Sequence, residues 1–115
     1  VLDLGAHSAD RVDYPDYGYA LGDAIAQERA ALGIAICGSG IGISIAANRN
    51  PLVRAALCHT VDYARLARQH NDANVLALGA RMIDTQIALE CVAVFLDTAF
   101  EGGRHAARVA KLGAC

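Results

Sequence analysis

The 115 residues carry 10 Lys and Arg against 12 Asp and Glu, a formal net charge of −2, with four cysteines and no tryptophan. A charge balance this near neutral leaves no basic footprint for nucleic acid, and no apolar run approaches the ~20 residues needed to span a bilayer. The opening Val1-Leu2-Asp3-Leu4 has no basic segment ahead of an apolar one, so no secretory signal is visible, and one cytoplasmic domain over residues 1–115 is expected.

In chain order, residues 1–5 read as a short apolar strand, and residues 6–16 as a polar loop in which Pro15 keeps Tyr14 extended. Apolar residues at helical spacing (Tyr17, Leu21, Ala24, Ile25, Leu32) predict a helix over 17–32 that ends at Gly33. A strand over 34–37, a turn and a helix over 41–48 follow. Asn50-Pro51 breaks the chain. Residues 54–58 read as a buried strand and Thr60 as the N-cap of a helix over 61–69. His70-Asn71-Asp72 is expected as a polar turn, residues 75–78 as a strand, and 84–98 as a helix with Ile87, Cys91, Val94 and Phe95 on its apolar stripe. A last helix covers 104–112. Strands alternating with helices at this spacing argue for an α/β, Rossmann-like three-layer architecture: a parallel sheet with helices on both faces. Ligands of such sheets bind at the carboxyl ends of the strands, where Cys37, His59 and the turn after Leu78 would lie.

The stretch with the most chemistry is Cys37-Gly38-Ser39-Gly40-Ile41-Gly42. Gly38, Gly40 and Gly42 allow a tight strand-to-helix turn, and the amides of residues 38–43 would emerge at a helix start that favours negative charge. The spacing is Gly-x-Gly-x-Gly, not the Gly-x-Gly-x-x-Gly of dinucleotide sites. The next strand ends in Cys58-His59 with no acidic residue for a ribose, and there is no Gly-Lys-Ser/Thr. A turn without a ligand is the plain alternative. Cys37, at the lip of that helix start, is poised as a base or nucleophile, and Ser39 offers a hydroxyl to shuttle protons. Cys58 and Cys91 read as small buried hydrophobes, and Cys115 as a loose terminus. With no Cys-x-x-Cys pair, a metal knuckle or redox dithiol is not expected and reduced thiols are. His70 reads equally as an exposed cation at a helix end or as a general acid or base. Arg104 and Arg108 share a helix face suited to a phosphate, although arginines so spaced are usually just solvated. Arg81, directly after a strand-end glycine, is the better-placed anion ligand.

Together, Asp13-Tyr14-Pro15, the run from Gly33 to Asn48, Arg68-Gln69-His70-Asn71-Asp72, and Glu101-Gly102-Gly103-Arg104-His105 with Arg108 resemble the ribose-5-phosphate isomerase B family, which includes the galactose-6-phosphate isomerase subunits. The resemblance covers essentially the whole chain. It implies an aldose–ketose isomerase of a phosphorylated sugar, working without cofactor or metal. Cys37 matches the base that moves a proton between C1 and C2 through a cis-enediolate. Ser39 matches the group that assists proton movement between the oxygens, and the amides of Gly38, Gly40, Ile41 and Gly42 would form an anion hole. His70 matches the ring-opening acid/base with Asn71 beside it, Arg81, Arg104 and Arg108 match phosphate ligands, and Tyr14 lines the site. Family members are dimers or tetramers with shared sites, so a homodimer or tetramer is implied in which His70 and the arginines serve a neighbour's Cys37.

The family begins with a further strand and helix bearing an Asp-His pair, and Val1 already matches its second strand. With no initiator Met, the 115 residues are expected to be part of a longer chain. Ribose 5-phosphate and ribulose 5-phosphate are the first substrates to test. The alternatives are a six-carbon phosphate isomerase, acting on allose or galactose 6-phosphate, and a non-catalytic phosphosugar-binding subunit.

Overall fold

In the computed structural model, which describes residues 1–113, three short apolar runs pair in parallel. They are β1 (Gly33–Cys37), β2 (Ala55–Leu57) and β3 (Val75–Gly79), in the order β1-β3-β2. β3 is central and buried along its whole length, as expected for a strand covered on both faces. Its side chains alternate between two cores. Val75 and Ala77 join Ala35 against Leu21 and Ile25 of α1 (Tyr14–Ala26) and Ile43 and Ala47 of α2 (Ile41–Asn48). Leu76 and Leu78 pack with Ala64 and Ala67 of α3 (Val61–Asn71) and Cys91 and Phe95 of α4 (Thr85–Asp97). The chain closes with a 3-10 turn (Gly103–His105) and α5 (Ala106–Leu112). This is the three-layer α/β arrangement read from the sequence. The expectation for Cys115 lies outside the described residues.

Several boundaries differ from the sequence reading. Residues 1–5 pair with no described strand: Val1 and Leu2 are exposed, and only Leu4 reaches a core. β1 correspondingly has one edge unpaired among the described residues. Tyr14 opens α1, because Pro15 sits in the first turn, where the N–H it lacks would find no partner anyway. That helix stops at Ala26, well before Gly33. Glu28 takes a left-handed φ of 60°, while the N–H groups of Arg29 and Glu28 donate to the carbonyls of Ala24 and Ile25; this pair of bonds closes a helix C-terminus even without glycine.

β2 is an edge strand and only half-buried. Its outer backbone is satisfied by Asn48, whose amide accepts from Ala55 N–H at 2.7 Å and donates to Ala55 C=O at 3.0 Å. Thr60 caps α3 as expected, accepting from Tyr63 N–H at 3.3 Å. α3 runs on through His70 and Asn71, so these are helical and not a turn; the reversal falls at Asp72, φ 45°. On α4 the inward stripe is Ala88, Cys91, Val92 and Phe95, and Ile87 is exposed.

The turn after β1 depends on Gly40, whose φ is 79° and whose Cβ, if present, would stand 2.8 Å from the Leu78 carbonyl carbon and 2.9 Å from Gly79 N. Gly102 shares the positive φ, at 68°, with nothing within 4 Å. Gly40→Ala therefore adds a clash with the β3 backbone to its positive-φ strain, whereas Gly102→Ala bears only the strain of a glycine-type backbone (φ 68°, ψ −131°), about 1–3 kcal/mol; urea unfolding of both variants should show the larger loss for Gly40→Ala, and equal losses would contradict the close backbone approach. Phe95, fully buried beneath β3, should cost about 3–5 kcal/mol when truncated to Ala, and a loss under 1 kcal/mol in the same assay would contradict this packing.

Candidate active site

β1 ends at Cys37, which lies beside Gly79 in the register with β3. The chain then turns so that Gly40 N–H donates to Cys37 Sγ at 3.2 Å. The sulfur thus sits at the mouth of the turn, within hydrogen-bond reach of a backbone amide. Ile41 N–H donates to Ser39 Oγ at 3.2 Å. Two of the amides expected to form an anion hole are thus turned onto the Cys37 and Ser39 side chains, and Gly42 and Ile43 retain the N–H groups that lack an acceptor within the helix. The turn after β3 locks against this one. Ala80 N–H donates to Cys37 C=O at 2.9 Å and Arg81 N–H to Gly38 C=O at 3.0 Å, while Gly79 lies against the Ser39 backbone.

Arg81 reaches back over the turn, with Nη1 3.3 Å from where a Cβ on Gly38 would stand. The Tyr14 ring rests on Gly42 so closely that any side chain there would collide with it. One edge of the sheet therefore gathers half-buried Cys37, Ser39, the three glycines, exposed Ile41, Tyr14 and Arg81. The other two described thiols are buried. Burial, then the neighbouring Cys91, pushes Cys58 up to about 11; burial, then Glu90, raises Cys91. Both fit the structural role read from the sequence.

His70, Asn71, Arg104 and Arg108 lie at the opposite edge. α3 starts beyond the end of β2 and returns to the start of β3, so its last turn sits near Val75 while Cys37 sits beside Gly79. Those ends of β3 are about 13 Å apart at ~3.3 Å per residue. The last turn of α3 is tied down by Arg68, 11 % exposed along its side chain. Its guanidinium donates to Asp72 Oδ1 at 3.0 Å, Ala73 C=O at 2.6 Å and Thr98 C=O at 3.0 Å, and lies 5.7 Å over the Phe95 ring. Arg54 holds the same Asp72 from β2's side, donating to its carbonyl at 2.8 Å.

Beside this knot the His70 and His105 rings stack, 4.3 Å apart and within 15° of parallel. Glu101 Oε1 lies 3.8 Å from His70 Nε2 and 3.7 Å from His105 Nε2. Glu101 and His105 join the candidate group only in the folded structure; the Glu-to-His spacing of four is the one signal the sequence carries for them. Donor atoms of His70, Glu101 and His105 lie within 4.8 Å of one another, the one such group among the described residues. Arg104 and Arg108 are exposed. A groove of about 520 Å³ runs along Asn48–Ala56 and touches only Asn71 of the candidate residues. No helix among the described residues is long and apolar enough to cross a membrane.

The family described as Ribose/Galactose Isomerase matches residues 1–112. Ribose-5-phosphate isomerase B of Escherichia coli is 45% identical over 114 residues, covering 99% of this chain and 76% of its own. D-erythrulose-4-phosphate isomerase of Pectobacterium atrosepticum is 46% identical over 100 residues, 87% of this chain and 66% of its own. The solved structure of Clostridium thermocellum ribose-5-phosphate isomerase B superposes with a TM-score of 0.96 at 49% identity, covering 98% of this chain and 76% of that one. The chain belongs to the Ribose/Galactose Isomerase family and is a sugar-phosphate isomerase.

Proposed function

We propose that the chain interconverts ribose 5-phosphate and ribulose 5-phosphate, with Cys37 as the proton-transfer base. The observation that carries this reading is the Cys37 thiol at a strand end, receiving the Gly40 N–H beside a helix start with unpartnered amides. The choice of a five-carbon substrate is supported by the names of the E. coli and C. thermocellum relatives.

In the proposed reaction the Cys37 thiolate removes the C2 proton of the open-chain aldose. The electron pair moves into a C1–C2 double bond, and the aldehyde oxygen becomes the enediolate oxygen. Amides of α2's first turn stabilise that charge, an effect worth several kcal/mol in a water-poor site. The Ser39 hydroxyl relays the O2 proton to O1, and Cys37 returns its proton to C1, leaving the ketone at C2. Ribose 5-phosphate arrives largely as a furanose, so an earlier step is needed: His70 protonates the ring oxygen as the O1 hydroxyl gives up its proton. Arg81, Arg104 and Arg108 hold the phosphate, with Tyr14 and Asn71 lining the sugar.

Because Cys37 and His70 stand at opposite edges of one sheet, the proposed site is completed between two copies of the chain. One copy offers its thiol edge and the other its histidine and arginine edge. A two-fold pair makes two such sites. No step requires a metal or cofactor, and a chelator is expected to leave the rate unchanged.

Cys37→Ala should reduce kcat by about 100-fold or more while phosphosugar binding persists, measured by turnover and calorimetry on the full-length protein; substantial turnover would remove Cys37 as the base. Arg104→Ala and Arg108→Ala should each raise KM about tenfold with kcat little changed, and an unchanged KM in both would remove them from the phosphate site. Ribose 5-phosphate assayed beside allose 6-phosphate and erythrose 4-phosphate decides the substrate, and a higher kcat/KM for either of the latter overturns the pentose assignment.

A further inference from the structure

His105 plays no part in the reaction as written, yet its ring is the more enclosed member of the stacked pair. Its side chain is 12% exposed, against 38% for His70. Its position is built by several features at once. Glu101 N–H donates to Gln69 C=O at 3.0 Å, tying the segment to the residue before His70. Gly102 and Gly103, with φ of 68° and 54°, then reverse the chain, and His105 N–H donates back to Gly102 C=O at 3.0 Å. The result is a flat face laid 4.3 Å from the His70 ring, with a single carboxylate near the Nε2 atoms of both.

We propose that His105, together with Glu101, is a positioning residue for sugar-ring opening: it fixes the plane of the His70 imidazole. The inference rests on the reading of His70 as the ring-opening group. A lone imidazole at a helix end turns freely about its χ2 torsion, whereas one backed by a parallel ring presents its nitrogen along one line. Acid–base work requires that alignment, because proton transfer needs hydrogen-bond distance and direction. Partial burial, then the His70 and Arg104 charges, hold His105 below the ordinary histidine range.

Two reactions separate ring opening from the later chemistry. Net conversion of ribose 5-phosphate needs both, whereas deuterium wash-in at C1 of ribulose 5-phosphate in D2O needs only the Cys37 step, since this ketone is already open. His105→Ala should slow conversion about 10- to 100-fold and leave wash-in, followed by NMR, at the wild-type rate. His105→Phe keeps a flat ring against His70 and should recover most of the lost conversion. Unchanged conversion in His105→Ala, or equal losses in conversion and wash-in, would overturn the positioning role, and a Phe variant as slow as Ala would overturn the stacking argument. His70→Ala is the control for the underlying reading. If it slows both reactions equally, His70 is not the ring-opening group; if it slows conversion alone while His105→Ala slows neither, only the His105 inference fails.

Discussion

A parallel sheet forces each crossover helix to run back against its strands, and that reversal governs where this chain can place its chemistry. α3 leaves the carboxyl edge at Thr60 and delivers His70 to the amino edge, while β1 delivers Cys37 to the carboxyl edge. The length of β3 keeps them apart. Two candidate edges on one small chain, neither holding the full set of candidate groups, are what the proposed site between copies rests on. The large groove beside β2, which contains almost none of the candidate residues, agrees with that view.

Each edge is held by a different physical device. At the thiol edge the device is backbone proximity: Gly40 and Gly79 bring two turns so close that side chains would not fit, and the amides this exposes are aimed at Cys37, Ser39 and open space. At the histidine edge it is charge inside a partly buried knot. Arg68 satisfies two carbonyls and one carboxylate at the end of α3 and lies over Phe95, so the platform under His70 is continuous with the apolar core. Removing one partner from such a knot leaves buried polar groups unsatisfied, which costs more than the net gain of any single hydrogen bond in it.

Much of this was legible in the sequence where local chemistry decides the conformation. The glycine turn, α2 and the Thr60 cap all fall where glycine spacing and capping residues put them. The errors occurred where the signal is tertiary or ambiguous. Residues 1–5 look like a strand by composition, yet a strand exists only through a partner. Pro15 reads as a breaker before Tyr14 but serves as a first-turn residue. Glu28 closes α1 in a conformation usually left to glycine, and Ile87 has helical spacing but faces water. The His70–Glu101–His105 cluster has little sequence signal because β3 and α4 separate His70 from Glu101, and the two meet only through the packing of α3 and α4 and the turn at Gly102.

The central claim is that Cys37 of one copy works with His70 of another. Differently tagged Cys37→Ala and His70→Ala chains, each inactive alone, can be co-expressed and the mixed dimer purified through both tags. One of its two sites then pairs an intact Cys37 with an intact His70, so the account predicts about half the wild-type ribose 5-phosphate isomerase activity per dimer. A mixed dimer as inactive as either parent would contradict it.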